Sequence, residues 1–236
     1  MLQTFRNTIL APLLDFVYPP LCRICECHLS VGDKTVCPNC WSKMRNVDES
    51  HPVWNELSEK FNHEQCIRHF TSCYLFEKDG NFQHIIHLLK YEGVKSVGVR
   101  FGNEIGKRML SDALLSSANY LVPVPLHSLK KRERGYNQSE YLCRGISEVT
   151  SIPVYASVIK RSRYTQSQTT LNIQERKENV SDAFIIPEKL QLLVEGQSFI
   201  LVDDVITTGA TINACARLLK QHGAASVFAA SAALAE

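Results

Sequence analysis

Phe199-Ile200-Leu201-Val202-Asp203-Asp204-Val205-Ile206-Thr207-Thr208-Gly209-Ala210-Thr211 is the stretch that decides how this chain is read. Four apolar residues specify a buried strand, and two acids follow at its carboxyl end. A Thr/Gly loop comes next, and residues 210–222 read as a helix. A loop feeding a helix N-terminus offers unpaired backbone N–H groups and the positive end of the helix dipole, so it suits a phosphate. Gly209 permits close backbone approach, and the threonines add hydroxyl donors. Asp203 and Asp204 would repel a phosphate, so they face another part of the ligand. Carboxylates accept hydrogen bonds, and the donors found beside a phosphate are sugar hydroxyls. The run therefore predicts a site for a 5-phosphorylated ribose. A P-loop would need Lys where Ala210 stands, and a dinucleotide fingerprint would need more glycines than Gly209. An ordinary strand–turn–helix with acids near its cap accounts for the acid pair but not for the whole order.

The stretch resembles the motif with which type I phosphoribosyltransferases bind 5-phosphoribosyl-1-diphosphate (PRPP). The resemblance implies that Asp203 and Asp204 hold the ribose hydroxyls. It implies that Thr207, Thr208, Gly209, Ala210 and Thr211 cradle the 5′-phosphate, with Mg²⁺ accompanying the diphosphate.

Working outward, strands alternate with helices, which predicts an α/β fold with a mostly parallel sheet flanked by helices. Strands are expected at 70–76, 119–124, 154–159, 183–186, 198–202 and 225–230. Helices are expected at 81–91, 97–115 and 138–149, the last capped by Asn137. Residues 46–66 are polar and His/Glu-rich and read as a linker or short helix. The domain boundaries that follow are an N-terminal helix over 1–17, a zinc finger and linker over 18–66, and the main domain over 67–236.

Nine cysteines are present. Cys22-x2-Cys25 and Cys37-x2-Cys40 form two knuckles eleven residues apart, the pattern of a four-thiolate structural Zn²⁺ site. A disulfide framework is the competing reading; without a signal peptide it is the weaker one. Cys66, Cys73, Cys143 and Cys215 are scattered and default to small core residues or free thiols.

The net charge is +2, which excludes a global pull toward polyanions. Residues 128–180, however, carry ten Lys/Arg against five Asp/Glu. Within them, Lys130-Lys131-Arg132-Glu133-Arg134 follows the loop Pro123-Val124-Pro125 and supplies cations suited to a diphosphate; a solvated charged turn is the alternative. Residues 161–179 form a long polar segment of the kind used as a lid, or a plain flexible insertion. No apolar run approaches the length of a membrane span. The spacing of Leu2, Phe5, Ile9, Leu10, Leu13 and Val17 predicts a docking helix.

Pro123-Val124-Pro125, Arg132-x-Arg134-Gly135-Tyr136-Asn137-Gln138, Gln168-x2-Leu171 with Arg176 and Asn179, the acid-pair run and the four-cysteine segment together resemble the ComF/GntX family. The match extends over nearly the whole chain. It implies a competence-type protein with an N-terminal zinc finger and a type I phosphoribosyltransferase-like domain. Such a protein acts in natural transformation or DNA uptake and handles single-stranded DNA. The implied setting is cytoplasmic, peripheral to the inner membrane, with DNA-uptake machinery proteins as partners and no transmembrane segment. Arg132, Arg134, Gln168 and Arg176 become candidates for the diphosphate and its loop. Two other functions stay open at this level: a nucleobase-salvage phosphoribosyltransferase (a pentosyl transferase, if the chain is an enzyme), and a non-catalytic DNA-binding scaffold with PRPP as a sensed ligand. No nucleobase-recognising residue is identifiable.

Overall fold

The computed structural model describes residues 19–30, 32–33, 35–161 and 183–236. The chain divides into two compact units, Met1–Met44 and Arg45–Glu236. The helix expected over 1–17 lies outside the described residues, as does the polar segment from 162 to 182.

In the first unit the chain doubles back through an antiparallel bridge, Leu21 to His28. Helix α1, Pro38–Ser42, follows and starts at Cys37, whose sulfur accepts the Cys40 amide at its N-cap.

The second unit is built on a four-stranded parallel sheet. Its strands are β1 (His69–Phe76), β2 (Tyr120–Pro123), β5 (Ser198–Ile206) and β6 (Ser226–Ala235), in the spatial order β1-β6-β5-β2. Parallel sheets are covered on both faces, so their inner strands read as continuous apolar runs. Accordingly β6 is buried along nearly its whole length. In β5, Phe199 and Leu201 enter a core with Trp54, Leu57 and Phe61 of helix α2 (Pro52–Glu64) and with Ile212, Cys215 and Leu219 of helix α8 (Ala210–Gln221). Ile200 and Val202, equally buried, point to the opposite face, as the two-residue period of a strand requires.

Helices α3 (Asn81–Tyr91), α4 (Lys95–Leu110) and α7 (Gln138–Thr150) account for most of the remaining apolar surface. Helices α4 and α7 pack back to back. A Cβ on Gly102 would lie 2.1 Å from Leu142 O, and one on Gly145 would lie 2.1 Å from Val99 O, so only glycine permits this approach.

Of the two readings for residues 46–66, linker or short helix, the structure has the helix: α2, thirteen residues long, with Val53, Trp54, Leu57 and Phe61 buried in the core. Two sequence expectations are corrected. The helix expected over 97–115 ends at Leu110, and Asp112 accepts the Leu114 and Leu115 amides to cap a separate short helix, α5 (Ala113–Ser116). The strand expected over 154–159 is reduced to one bridge, Leu121 to Val154. Leu121 N donates to Pro153 O and Tyr155 N donates to Leu121 O; the chain then turns, with Val158 N donating to Tyr155 O. Downstream, β3 (Lys160–Arg161) and β4 (Phe184–Ile185) form a short antiparallel pair.

Candidate functional site

The acid pair sits where the sheet opens. β5 stays paired with β6 through Asp203–Ser231 as far as Ile206–Leu234. Its pairing with β2 stops at Pro123–Val202, with one further bond from Val124 N to Val202 O. The Pro123-Val124-Pro125 turn carries the chain away and exposes one side of β5 at Asp203. A crevice at the carboxyl ends of strands, where a neighbour diverges, is where open α/β sheets bind ligands.

The crevice is a cavity of about 190 Å³ whose lining includes Lys90, His127, Lys130, Arg134, Gln138, Ser139, Arg161, Asp203, Asp204 and Thr211. Ser139 Oγ donates to Asp203 Oδ1 at 3.3 Å, and the Asp204 amide donates to the same oxygen at 2.8 Å. Burial and the neighbouring Asp204 charge push the Asp203 carboxyl up to about 7, since both disfavour its ionised form. Lys90 Nζ lies 3.0 Å from Asp204 Oδ2.

On one side of the acids the chain passes through Thr207 and Thr208, both exposed, into the N-terminus of α8. Gly209 is the N-cap residue, and no side chain bonds to the first-turn amides from the cap. Thr208 Oγ1 accepts the Ala210 amide only at 3.4 Å. Gly209 has φ +76°, and a Cβ there would meet Phe61 and Leu57 of α2 at 3.0 and 3.1 Å. The glycine thus lets the loop close over the hydrophobic core as well as turn.

On the other side stands the basic segment. It is helix α6, Ser128–Arg134; His127 Nδ1 accepts the Leu129 amide and Gly135, at φ +77°, ends it. Because Nδ1 accepts, a neutral His127 carries its proton on Nε2. Burial, Arg161 and Lys130 hold the His127 pKa below its ordinary value. Of the two arginine candidates, Arg134 lines the cavity, whereas Arg132 is exposed on α6 and does not. Arg134 Nη1 donates to Gln138 Oε1 at 2.9 Å. Arg134 Nε and Gln138 Nε2 are buried donors with no protein acceptor. Gln168 and Arg176 lie outside the described residues.

The sequence reading missed Lys90, His127, Gln138, Ser139 and Arg161 as cavity residues. Asn137 and Gln138 are buried, and an Asn-Gln pair after a Gly-Tyr turn was the available signal. Asn137 Nδ2 donates to Val124 O at 2.9 Å while its Oδ1 accepts the Ser139 amide at 3.2 Å, so one residue caps α7 and fixes the loop leaving β2.

In the first unit, the sulfurs of Cys22, Cys25, Cys37 and Cys40 all lie within 4.8 Å of one another, and Cys25 Sγ is 3.7 Å from Cys37 Sγ. A tetrahedron with Zn–S bonds of about 2.3 Å has edges of about 3.8 Å. The Cys37 amide donates to Cys22 Sγ at 3.3 Å, a bond that favours the thiolate. The Cys27 amide leads the groups that bring the Cys25 thiol down to about 6. The donor set therefore fits a structural Zn²⁺. Cys27 is exposed and stands outside the quartet, which is the one such cluster among the described residues.

A parallel sheet flanked by helices, with an acid pair beside a helix N-terminus at its open edge, places the chain in the α/β class with a crevice at the carboxyl ends of its strands. The chain belongs to the phosphoribosyl transferase domain family, whose model matches residues 93–235. The double zinc ribbon domain matches residues 13–68. Over 229 residues the chain is 28% identical to the DNA utilization protein YhgH of Escherichia coli strain K12, covering 89% of this chain and 94% of that protein. It is 36% identical over 108 residues to Competence protein F of Haemophilus influenzae, covering 44% of each chain. It is 33% identical over 106 residues to Competence protein ComFC of Bacillus subtilis, covering 45% of this chain and 40% of that one. The ComF/GntX resemblance read from the sequence is borne out by these relatives, as is the fold class.

Proposed function

We propose that the protein binds PRPP with Mg²⁺ in the crevice at Asp203 and Asp204 and acts in the uptake or use of DNA. One observation carries the first half. A single cavity brings two carboxylates together with Lys130, Arg134 and Arg161, next to a helix N-terminus where Gly209 supplies no capping side chain and Thr208 Oγ1 meets the Ala210 amide only at 3.4 Å. A phosphorylated ribose bearing a diphosphate needs all three environments, with the carboxylates between the helix N-terminus at one end of the ligand and the cations at the other. The ribose hydroxyls donate to Asp203 and Asp204. The 5′-phosphate accepts from the amides of Ala210 and Thr211 and from the Thr207, Thr208 and Thr211 hydroxyls. The diphosphate faces the basic side, where Arg134 Nε and Gln138 Nε2 lack acceptors. Asp203 and Asp204 are the carboxylates beside which Mg²⁺ would be held, and the ion would supply charge neutralisation for the diphosphate.

Calorimetry tests this. Wild type is expected to bind PRPP only with Mg²⁺ and more tightly than ATP. Asp203→Ala with Asp204→Ala should abolish that binding while the thermal transition persists. Binding that survives the double substitution, or a preference for ATP, contradicts the reading.

The DNA half is supported by the names of the relatives and by Lys130, Lys131 and Arg132, which are exposed on α6. Phosphate contacts by such cations give affinity that falls steeply with salt. Single strands are also bound by stacking bases on aromatic rings, but Tyr136 and Tyr141 are committed within the fold. Their rings meet edge to face at 5.3 Å, Lys95 Nζ lies over both, and the Tyr136 hydroxyl donates to Leu89 O.

A further inference from the structure

Among the described residues Lys90 is the one cation paired with the acid pair, and the proposed function leaves it unused. It belongs to the last turn of α3, far from β5 in sequence. Its ammonium is 3.0 Å from Asp204 Oδ2, with the two side chains 19% and 13% exposed. The surface pairs are far more open: Arg45–Glu77 is 57% and 43% exposed, and Arg144–Glu148 is 68% and 46% exposed. Solvent and salt screen the Lys90–Asp204 pair much less than those.

The tether is fixed at its base. The Tyr136 hydroxyl donates to Leu89 O, and the Arg134 guanidinium lies 5.2 Å from the centre of the Tyr91 ring. The end of α3 is thus held on both sides of Lys90, by Tyr136 at Leu89 and by Arg134 at Tyr91, while the lysine itself reaches the acid pair on a four-carbon stem with several rotatable bonds. An ammonium on a carboxylate oxygen occupies the position that a sugar hydroxyl, or a divalent cation, would take. Two adjacent carboxylates without it would attract divalent ions from solution and repel an arriving sugar phosphate.

We propose that Lys90 is a tethered stand-in cation. It keeps free divalent metal off Asp203 and Asp204 in the empty site, and the ribose hydroxyls of the incoming ligand displace it. Metal then enters with the sugar phosphate and not ahead of it. The displaced ammonium remains within the same cavity as Lys130 and Arg134, available to the ligand's anionic end. The identity of the displacing ligand rests on the proposed PRPP site; the exclusion of free metal does not.

The test uses the full zinc-loaded chain and Mn²⁺ as probe, with free Mn²⁺ read by electron paramagnetic resonance. Lys90→Gln should bind Mn²⁺ at least tenfold more tightly than wild type. Lys90→Arg, which keeps the charge, should not, and Lys90→Gln with Asp204→Asn should lose the gain. A folded Lys90→Gln within twofold of wild type, or a gain that persists with Asp204→Asn, overturns the proposal. If the neutral variant does not fold, trace acetylation of wild type read by peptide mass spectrometry replaces it. Labelling of Lys90 should be several-fold below that of Lys130 in the free protein and should change when PRPP–Mg²⁺ is added. Equal labelling of the two lysines, or no change at Lys90 on a ligand that calorimetry shows to bind, overturns it. A wild type that binds no PRPP removes the ligand assignment and leaves the Mn²⁺ comparison standing. PRPP binding with unchanged Mn²⁺ affinity in Lys90→Gln removes the Lys90 proposal alone.

Discussion

Asp203 is a carboxyl that the fold holds against its own charge. Burial and Asp204 raise its pKa to about 7, above the unfolded value of about 3.9. Between those values the native state binds more protons than the unfolded chain, so this residue's contribution to stability falls as pH rises from about 4 to 7. Asp203→Asn keeps an oxygen for the Ser139 hydroxyl and the Asp204 amide and removes the charge. It should stabilise the protein by about 1–2 kcal/mol at pH 8 and leave it unchanged near pH 4, read by thermal melting at both values. Gly209→Ala acts in the opposite direction. The site has φ +76° and its Cβ direction is filled by Phe61 and Leu57, so a loss of about 1–3 kcal/mol is expected in urea denaturation. These two residues were legible at once, because a short local run carries both. Lys90 was not: nothing in a helix ending Leu89-Lys90-Tyr91 points to an acid on a strand much later in the chain. Only the topology joins them.

At the scale of elements, the acid pair depends on two joints. One is the departure of β2 at Pro123, held by Asn137 Nδ2 donating to Val124 O. The other is the seam between α4 and α7, where Gly145 lies against Val99 O. Gly145→Ala should cost about 3 kcal/mol. It should also weaken ligand binding, because α7 begins with the Gln138 and Ser139 of the cavity; denaturation and calorimetry measure the two effects. Helices α3, α7 and α8 were readable from apolar periodicity. Helix α2 carried the same signal in Val53, Trp54, Leu57 and Phe61, but its Glu, Asn and His residues masked it. The strand expected from Val154 failed because hydrophobicity reports burial, not pairing: Val158 and Ile159 are buried in the core without a ladder.

For the molecule as a whole, the two units make separate demands. The cysteine unit is too small for an apolar core to hold it unaided, and metal binding then becomes folding energy. Purified protein should carry about one Zn²⁺ per chain by elemental analysis. Chelation, or Cys37→Ser, should unfold this unit, seen as protease cleavage within residues 19–44, while the sheet's thermal transition remains. The basic surface is tested by titrating a fluorescent single-stranded oligonucleotide with salt. Replacing Lys130, Lys131 and Arg132 with Gln should flatten the salt slope. A wild type without affinity at low salt would shift the DNA role to partners. None of the described helices is long and apolar enough to cross a membrane.

If one crevice holds a phosphoribosyl diphosphate in a set direction, a crystal structure of the protein with PRPP and Mg²⁺ will show it. The 5′-phosphate should lie on the amides of Ala210 and Thr211, the ribose hydroxyls on Asp203 and Asp204 with Lys90 moved off Asp204, and the diphosphate toward Arg134 and Gln138. A diphosphate lodged in the Thr207–Thr211 loop, or ligand bound away from Asp203 and Asp204, would contradict it.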